Sequence, residues 1–141
     1  IGRLGPRFAR RGRTRGTVLI GTPPGERHSM PTAMFSDLIR GEGFEVSDLG
    51  ADMPVDAFVS AALETPDLVA IGVSVTSTDH LDAAAELLAA LHAAVPDVVI
   101  VVGGRAVPDA ATAERLGGEW ASDAAGFLGV IEGQQLDDRA G

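Results

Sequence analysis

The segment LVAIGVSV, residues 68–75, decides the fold class because it is the most apolar stretch of the chain. Strands covered by helices on both faces read as near-continuous apolar runs, so we expect a central strand of a parallel sheet. Other short runs with strand character lie at residues 17–22, 44–49, 98–102 and 119–121. Helical patterns separate them, beginning at Ser29 or Met30 and then covering residues 55–64, 79–95, 109–116 and 123–131. This alternation predicts an α/β fold with a doubly wound, five-stranded parallel sheet in the order 2-1-3-4-5.

Composition excludes several classes of protein. The chain has 141 residues, which suits one domain, and a formal net charge of −9. It contains no cysteine, which excludes disulfides and thiolate metal sites and is consistent with a cytoplasmic location. No apolar run reaches the roughly 20 residues that span a bilayer, so we expect no membrane association.

Charge is divided unevenly along the chain. Six of the eleven basic residues precede residue 16, and all twenty acidic residues follow it. We therefore predict an arginine-rich arm or linker over residues 1–15, one domain over residues 16–132, and a polar tail over residues 133–141. Because phosphate contacts need a basic face, the acidic domain is not expected to bind nucleic acid. The arm is either a solvated linker, the commoner case, or a contact for an acidic partner.

Three short motifs each lie at the carboxyl end of a predicted strand. They are Glu26-Arg27-His28-Ser29 after the first strand, Ser74-Val75-Thr76 at the end of the third, and Gly103-Gly104 at the end of the fourth. Open α/β sheets bind ligands outside the carboxyl ends of their strands, at the switch point between the first and third. The three motifs therefore converge on one edge of the predicted sheet.

The motifs and their spacing resemble the signature of cobalamin-binding domains, in which an acidic residue, x and His lead, Ser-x-Leu follows, and Gly-Gly closes. Here 42 residues separate Pro31 from Ser74, and 26 separate Thr76 from Gly103. The loop Pro23-Pro24-Gly25-Glu26-Arg27-His28 is most similar to the CarH-type light-sensing branch. The resemblance covers residues 17–128 and implies a flavodoxin-like, Rossmann-like cobalamin-binding domain. The chain departs from the broad pattern at Glu26, commonly Asp, at Pro31, commonly Gly, and at Thr76, commonly Leu.

The resemblance implies that cobalamin binds with its nucleotide tail displaced from the cobalt and with His28 as the lower axial ligand. Neutral imidazole is a good ligand for such a metal. Glu26 would accept the second ring N–H of His28, which fixes the tautomer and raises the basicity of the ligand.

The displaced tail needs a narrow slot beside the sheet. Ser74 would offer its hydroxyl to the benzimidazole nitrogen, and Thr76 would contact the ribose or phosphate. Gly103 and Gly104 would let backbone and tail pass close together, since glycine has no side chain. The expected cofactor contacts also include Arg27, Ser29, Val75, Gly50 and Ser122.

For function, the resemblance implies a sensor that responds to photolysis of the Co–C bond of adenosylcobalamin, by itself without enzymatic activity. Photocobilins suggest biliverdin as a second pigment, bound noncovalently because cysteine is absent. The expected partners are a helical cap or output domain and a second copy of the chain. Two alternatives remain: a corrinoid carrier for methyl transfer and the cobalamin domain of a mutase. A receiver domain is excluded because the chain has no lysine, and dinucleotide and P-loop sites are excluded because their glycine motifs are absent.

Overall fold

The computed structural model describes residues 15–27 and 32–140. Within these ranges strands and α-helices alternate. They are β1 (Thr17–Gly21), α1 (Thr32–Gly41), β2 (Glu45–Asp48), α2 (Val55–Glu64), β3 (Leu68–Ser74), α3 (Leu81–Ala94), β4 (Val99–Gly103), α4 (Ala110–Leu116), β5 (Glu119–Trp120) and α5 (Ala124–Ala140). All five strands form one parallel sheet in the order β2-β1-β3-β4-β5, which confirms the predicted topology. None of the helices in the described ranges combines the length and apolar character needed to cross a membrane.

Each face of the sheet supports its own apolar core. Leu19 points into the core beneath α2, α3 and α4, where it joins Phe58 and Leu88. Its neighbour Ile20 points to the opposite face, together with Phe127 of α5. Side chains alternate in this way because successive residues of a strand face opposite sides of the sheet. β3 is buried on both faces for this reason, and its apolar sequence follows from that position.

The register of the parallel strands brings the sequence motifs to one edge. Ser74 at the end of β3 pairs with Gly103 at the end of β4. Gly21 at the end of β1 pairs with Val73 of β3. The segments that follow β1, β3 and β4 therefore leave the sheet side by side.

The start of α3 differs from the prediction of a helix that begins at residue 79, because α3 begins at Leu81. Ser77 caps a turn before it: the Ser77 hydroxyl accepts a hydrogen bond from the Asp79 amide at 3.2 Å. This cap begins a single 3-10 turn, Thr78–His80, and α3 follows from Leu81. Ser77, three residues after the end of β3, thus begins the turn that leads into α3.

The end of the chain also differs from the prediction of a polar tail after Ile131, because α5 continues to Ala140. The added segment is rich in good helix formers, which tolerate the single Gly133. Arg15 also contacts this part of α5, with its guanidinium 3.2 Å from a Glu132 carboxylate oxygen and 3.3 Å from Gln135 Oε1. The rest of the predicted arm, residues 1–14, lies outside the described residues.

Asp109 gives α4 a charged cap and the domain a specific response to acid. Its Oδ1 accepts hydrogen bonds from the Thr112 hydroxyl at 2.7 Å and the Thr112 amide at 2.8 Å. These bonds, the hydroxyl first, hold the pKa of Asp109 below its ordinary value of 3.8. The stabilisation is therefore complete above that value and is lost as the pH falls through the lower folded-state pKa.

We expect Asp109→Asn to keep the cap, since asparagine caps nearly as well, but to remove this part of the acid sensitivity. Asp109→Ala loses the cap at every pH and serves as the comparison. Unfolding followed by circular dichroism between about pH 5 and pH 2 measures both effects. Superimposable acid profiles for the native chain and Asp109→Asn would show that Asp109 contributes no pH-dependent stability.

Candidate functional site

A groove of about 1040 Å³ lies at the carboxyl edge of the sheet, between α1 and α5. β3 and β4 form its floor, where Gly72, Ser74 and Gly103 line it. Phe35 of α1 and Phe127 of α5 also line it. A smaller cavity of about 420 Å³ lies at the start of β4, beside Pro96 and Gly117, and no residue of the three motifs lines it. The larger groove is therefore the candidate site.

The walls of the groove are shaped by aromatic rings. Phe35 and Phe127 meet edge to face, with ring centroids 5.2 Å apart and planes at 82°. The Phe127 ring lies against β3 because Gly72 has no side chain there; a Cβ at Gly72 would be 2.8 Å from Phe127 Cε2. The sequence did not single out Gly72 or Phe127, although glycine inside a buried strand is a signal of close approach. The two rings in contact form one side of an apolar slot, against which a flat aromatic group can pack.

Ser74 carries the polar group on the floor of this slot. The residue is 5% exposed and lines the groove, as predicted for a tail contact. Its hydroxyl has no hydrogen-bond partner among the side chains and backbone groups that the structure describes. Because a buried hydroxyl without a partner is unfavourable, a ligand atom that bonds to it would be stabilised there.

Glu26 is completely buried beside the end of β3. Its Oε1 accepts hydrogen bonds from the amides of Thr76 at 2.7 Å and Ser77 at 3.2 Å. Its Oε2 accepts one from the Thr76 hydroxyl at 2.7 Å. Thr76, where the broad family has leucine, therefore holds the Glu26 carboxylate. Thr76 also lines the groove, and its expected contact with the ribose or phosphate stays a prediction.

The predicted ligand His28 and its neighbour Ser29 lie outside the described residues. Glu26 precedes His28 by two residues, and an ionised carboxylate has about four acceptor positions. The bonds from Thr76 and Ser77 are therefore compatible with a further bond from the imidazole. The expected pairing of Glu26 with His28 stays a prediction.

Two residues that the sequence analysis missed hold the loop after β1. The Thr22 hydroxyl donates to the Glu26 carbonyl oxygen and accepts from the Asp52 amide, each at 2.8 Å. Asp52 Oδ1 in turn accepts from the Gly25 amide at 2.7 Å. Asp52 has a φ of 55°, a conformation that aspartate tolerates better than most residues. An aspartate in the turn after β2 was the available signal.

The structure of the protein itself requires glycine at positions 103 and 104, independently of any ligand. Gly104 has a φ of 106°, and a Cβ there would overlap the Val75 carbonyl oxygen. A Cβ at Gly103 would overlap the Ala121 carbonyl oxygen. Both glycines line the groove, but the contact that excludes a side chain comes from the protein's own backbone. The expected close passage of the tail along these glycines stays a prediction.

The remaining predicted contacts divide by location. Ser122 lines the groove. Arg27 is exposed, Gly50 lies two residues after β2 with a φ of 83°, and neither lines the groove. Val75 is completely buried in the core beneath α2, α3 and α4, so its side chain cannot contact a ligand in the groove.

The fold is a doubly wound sheet with an apolar groove at the carboxyl edge of its strands. This is the edge at which such domains bind cofactors. The chain belongs to the B12-binding domain family, whose sequence model matches residues 16–123. The groove fits that cofactor in two respects: its apolar slot suits a benzimidazole, and the unpartnered Ser74 hydroxyl suits the benzimidazole nitrogen. Cobalamin is thus the cofactor class of the domain.

The chain is similar in sequence to corrinoid proteins and in structure to a cobalamin-binding protein. Dimethylamine corrinoid protein 3 of Methanosarcina acetivorans is 31% identical over 106 residues, covering 74% of this chain and 49% of that protein. Trimethylamine corrinoid protein 2 of the same organism is 42% identical over 66 residues, covering 46% of this chain and 30% of that protein. The crystal structure of a cobalamin-binding protein from Desulfitobacterium hafniense has a TM-score of 0.75 and 28% identity, covering 85% of this chain and 59% of that one.

These relatives correct the branch assignment. They are corrinoid proteins named for methylamines, so they favour the methyl-carrier alternative over the CarH-type light sensor that the loop sequence suggested. They give no support to the expected bilin, photoreceptor role, adenosyl form or homo-oligomer. The chain spans half or less of the length of the curated relatives described above.

Proposed function

We propose that this domain is the cobalamin-holding part of a corrinoid carrier for methyl transfer. The observation that carries the proposal is the apolar groove with the buried, unpartnered Ser74 hydroxyl on its floor, beside the Glu26–Thr76 contact. Cobalamin would be held by the groove through its tail and by His28 through its cobalt. When bound, the cofactor supplies a cobalt centre that takes up and gives away a methyl group.

The residues of the chain then have separate tasks. Ser74 would donate its hydroxyl proton to the benzimidazole nitrogen, and the apolar slot beside the Phe35–Phe127 pair would hold the ring. His28 would ligate the cobalt. Glu26, fixed by Thr76 and Ser77, orients the imidazole and sustains its basicity, as second partners of metal-bound histidines generally do.

The chemistry on either side of the carrier belongs to other proteins in this proposal. No acid–base pair is poised in the groove among the described residues, where Asp37, Arg105 and Asp123 are the charged side chains. A partner methyltransferase would deliver the methyl group and another would remove it. The helical cap and the domain limits at residues 15 and 132 remain part of the proposal.

The ligand assignment is tested by His28→Ala. We expect the variant to fold and to retain cobalamin through the groove, but with an absorbance spectrum that lacks histidine ligation. The control is Ser60→Ala, an exposed position on α2 away from the groove. A spectrum unchanged from that of the native chain would show that another group occupies the lower axial position.

The carrier function is tested against the light-sensor reading in one set of samples. Reduced, cobalamin-loaded protein is incubated with dimethylamine or trimethylamine and the corresponding methyltransferase, and extracted methylcobalamin is quantified. In parallel, protein loaded with adenosylcobalamin in darkness is illuminated with green light and its elution volume is measured. We expect methylation and an unchanged elution volume. A light-dependent change in size without methylation would support the sensor instead.

A further inference from the structure

The nucleotide tail of cobalamin carries one phosphodiester and hence one negative charge. The domain as a whole repels this negative charge, because residues 16–141 contain twenty acidic residues and only five basic ones. The other six of the eleven basic residues precede residue 16. An acidic surface repels an anion unless a cation is placed locally. A groove that accepts the tail therefore needs a positive group near its mouth.

Arg105 is placed to supply that group. It lines the groove directly after Gly103-Gly104 and is exposed, so its guanidinium can reach a ligand. It is the basic side chain among the described residues that line the groove, and it forms no ion pair with any described residue. Two acidic residues, Asp37 and Asp123, also line the groove, and neither forms an ion pair with Arg105. Asp123 Oδ1 accepts a hydrogen bond from the Gly126 amide at 2.8 Å.

The backbone around Arg105 is fixed although its side chain is exposed. The Ala106 amide donates to the Val75 carbonyl oxygen and the Val107 amide to the Gly104 carbonyl oxygen, each at 3.0 Å. Gly104, with its φ of 106°, turns the chain at this point. The turn thus presents Arg105 at the mouth of the groove from a rigid base, and a planar guanidinium can donate two parallel hydrogen bonds to a phosphate.

We propose that Arg105 binds the phosphate of the nucleotide tail and makes the domain select corrinoids with a complete tail over corrinoids that lack it. The inference deepens the proposed function, since it rests on cobalamin binding with the tail in the groove. It assigns a specificity role to a residue outside the three sequence motifs.

The test compares the affinities of four proteins for two ligands. The proteins are the native chain, Arg105→Ala, Arg105→Lys and the control Arg115→Ala, an exposed arginine of α4 outside the groove. The ligands are aquocobalamin and diaquocobinamide, which lacks the phosphate and nucleotide. We expect Arg105→Ala to bind aquocobalamin about tenfold more weakly, the effect of one charge-assisted contact, and diaquocobinamide as the native chain does.

Two control variants and the dependence on salt distinguish a phosphate contact from other effects. Arg105→Lys keeps the charge and retains most of the affinity, and Arg115→Ala binds as the native chain does. The loss in Arg105→Ala shrinks as salt is raised, because salt screens an exposed charge.

The inference is overturned if Arg105→Ala binds aquocobalamin as tightly as the native chain does, or if it loses affinity equally for both ligands. The second outcome would place Arg105 against the corrin ring. If the native chain itself failed to bind aquocobalamin, the proposed function would fall with it. Native binding with an unaffected Arg105→Ala would remove the present inference alone.

Discussion

Gly104→Ala is expected to lower the free energy of unfolding by about 3 kcal/mol, whereas Gly50→Ala lowers it by about 1 kcal/mol. The two glycines have similar backbone conformations, with φ of 106° and 83°. At Gly50 a Cβ would meet nothing within 4 Å, so alanine suffers conformational strain alone. At Gly104 the Cβ would overlap the Val75 carbonyl oxygen, so the end of β3 must also move.

Urea unfolding of both variants measures the difference. Equal destabilisation at the two positions would show that backbone conformation, rather than contact with Val75, explains the glycine at position 104. A leucine at position 104 is unsuitable for testing ligand binding, since it would disturb the fold before it filled the groove.

Ala125→Phe is expected to abolish binding of the cobalamin tail while the fold stays intact. Ala125 is exposed in the first turn of α5 and lines the groove, so an aromatic ring there occupies the space meant for the tail. Ala111→Phe is the matched control, since Ala111 is exposed in the first turn of α4 and does not line the groove. We expect at least about a 100-fold loss of aquocobalamin affinity for Ala125→Phe, which corresponds to about 2.7 kcal/mol.

Titration of each variant with aquocobalamin, followed by absorbance, gives the affinities, and circular dichroism confirms the fold. Tight binding by Ala125→Phe would mean that the tail does not enter between α1 and α5. A comparable loss in Ala111→Phe would point to a general effect of the added ring.

Most of the fold could be predicted because its strands and helices have clear local signals of hydrophobic pattern and chain breaks. The helix at Val55–Glu64 agrees with the prediction at both ends, since Pro54 precedes it and Thr65-Pro66 ends it. The strand order followed from alternating strands and helices. The longer α5 was missed because its last turns are polar and have no apolar period; Arg15, distant in sequence, contacts them instead.

The candidate site could be predicted in part. The motifs located the correct edge and the buried Ser74, because they are continuous in sequence. The slot formed by Gly72, Phe35 and Phe127 could not be predicted, since it depends on three segments meeting across the sheet. The bonds from Thr76 to Glu26 were also missed, because a side chain that replaces leucine was assigned to the ligand rather than to the protein.

The hydrogen bonds that join Thr22, Glu26 and Asp52 connect the loops after β1 and β2, and the Glu26 carboxylate extends the connection to the segment after β3. Loops ordered during folding lose no conformational freedom when a cofactor arrives. Apoprotein and holoprotein should therefore share one conformation at Thr22, Glu26 and Asp52. The cofactor can then bind and dissociate without unfolding this part of the site. A cell could reuse the apoprotein without refolding it.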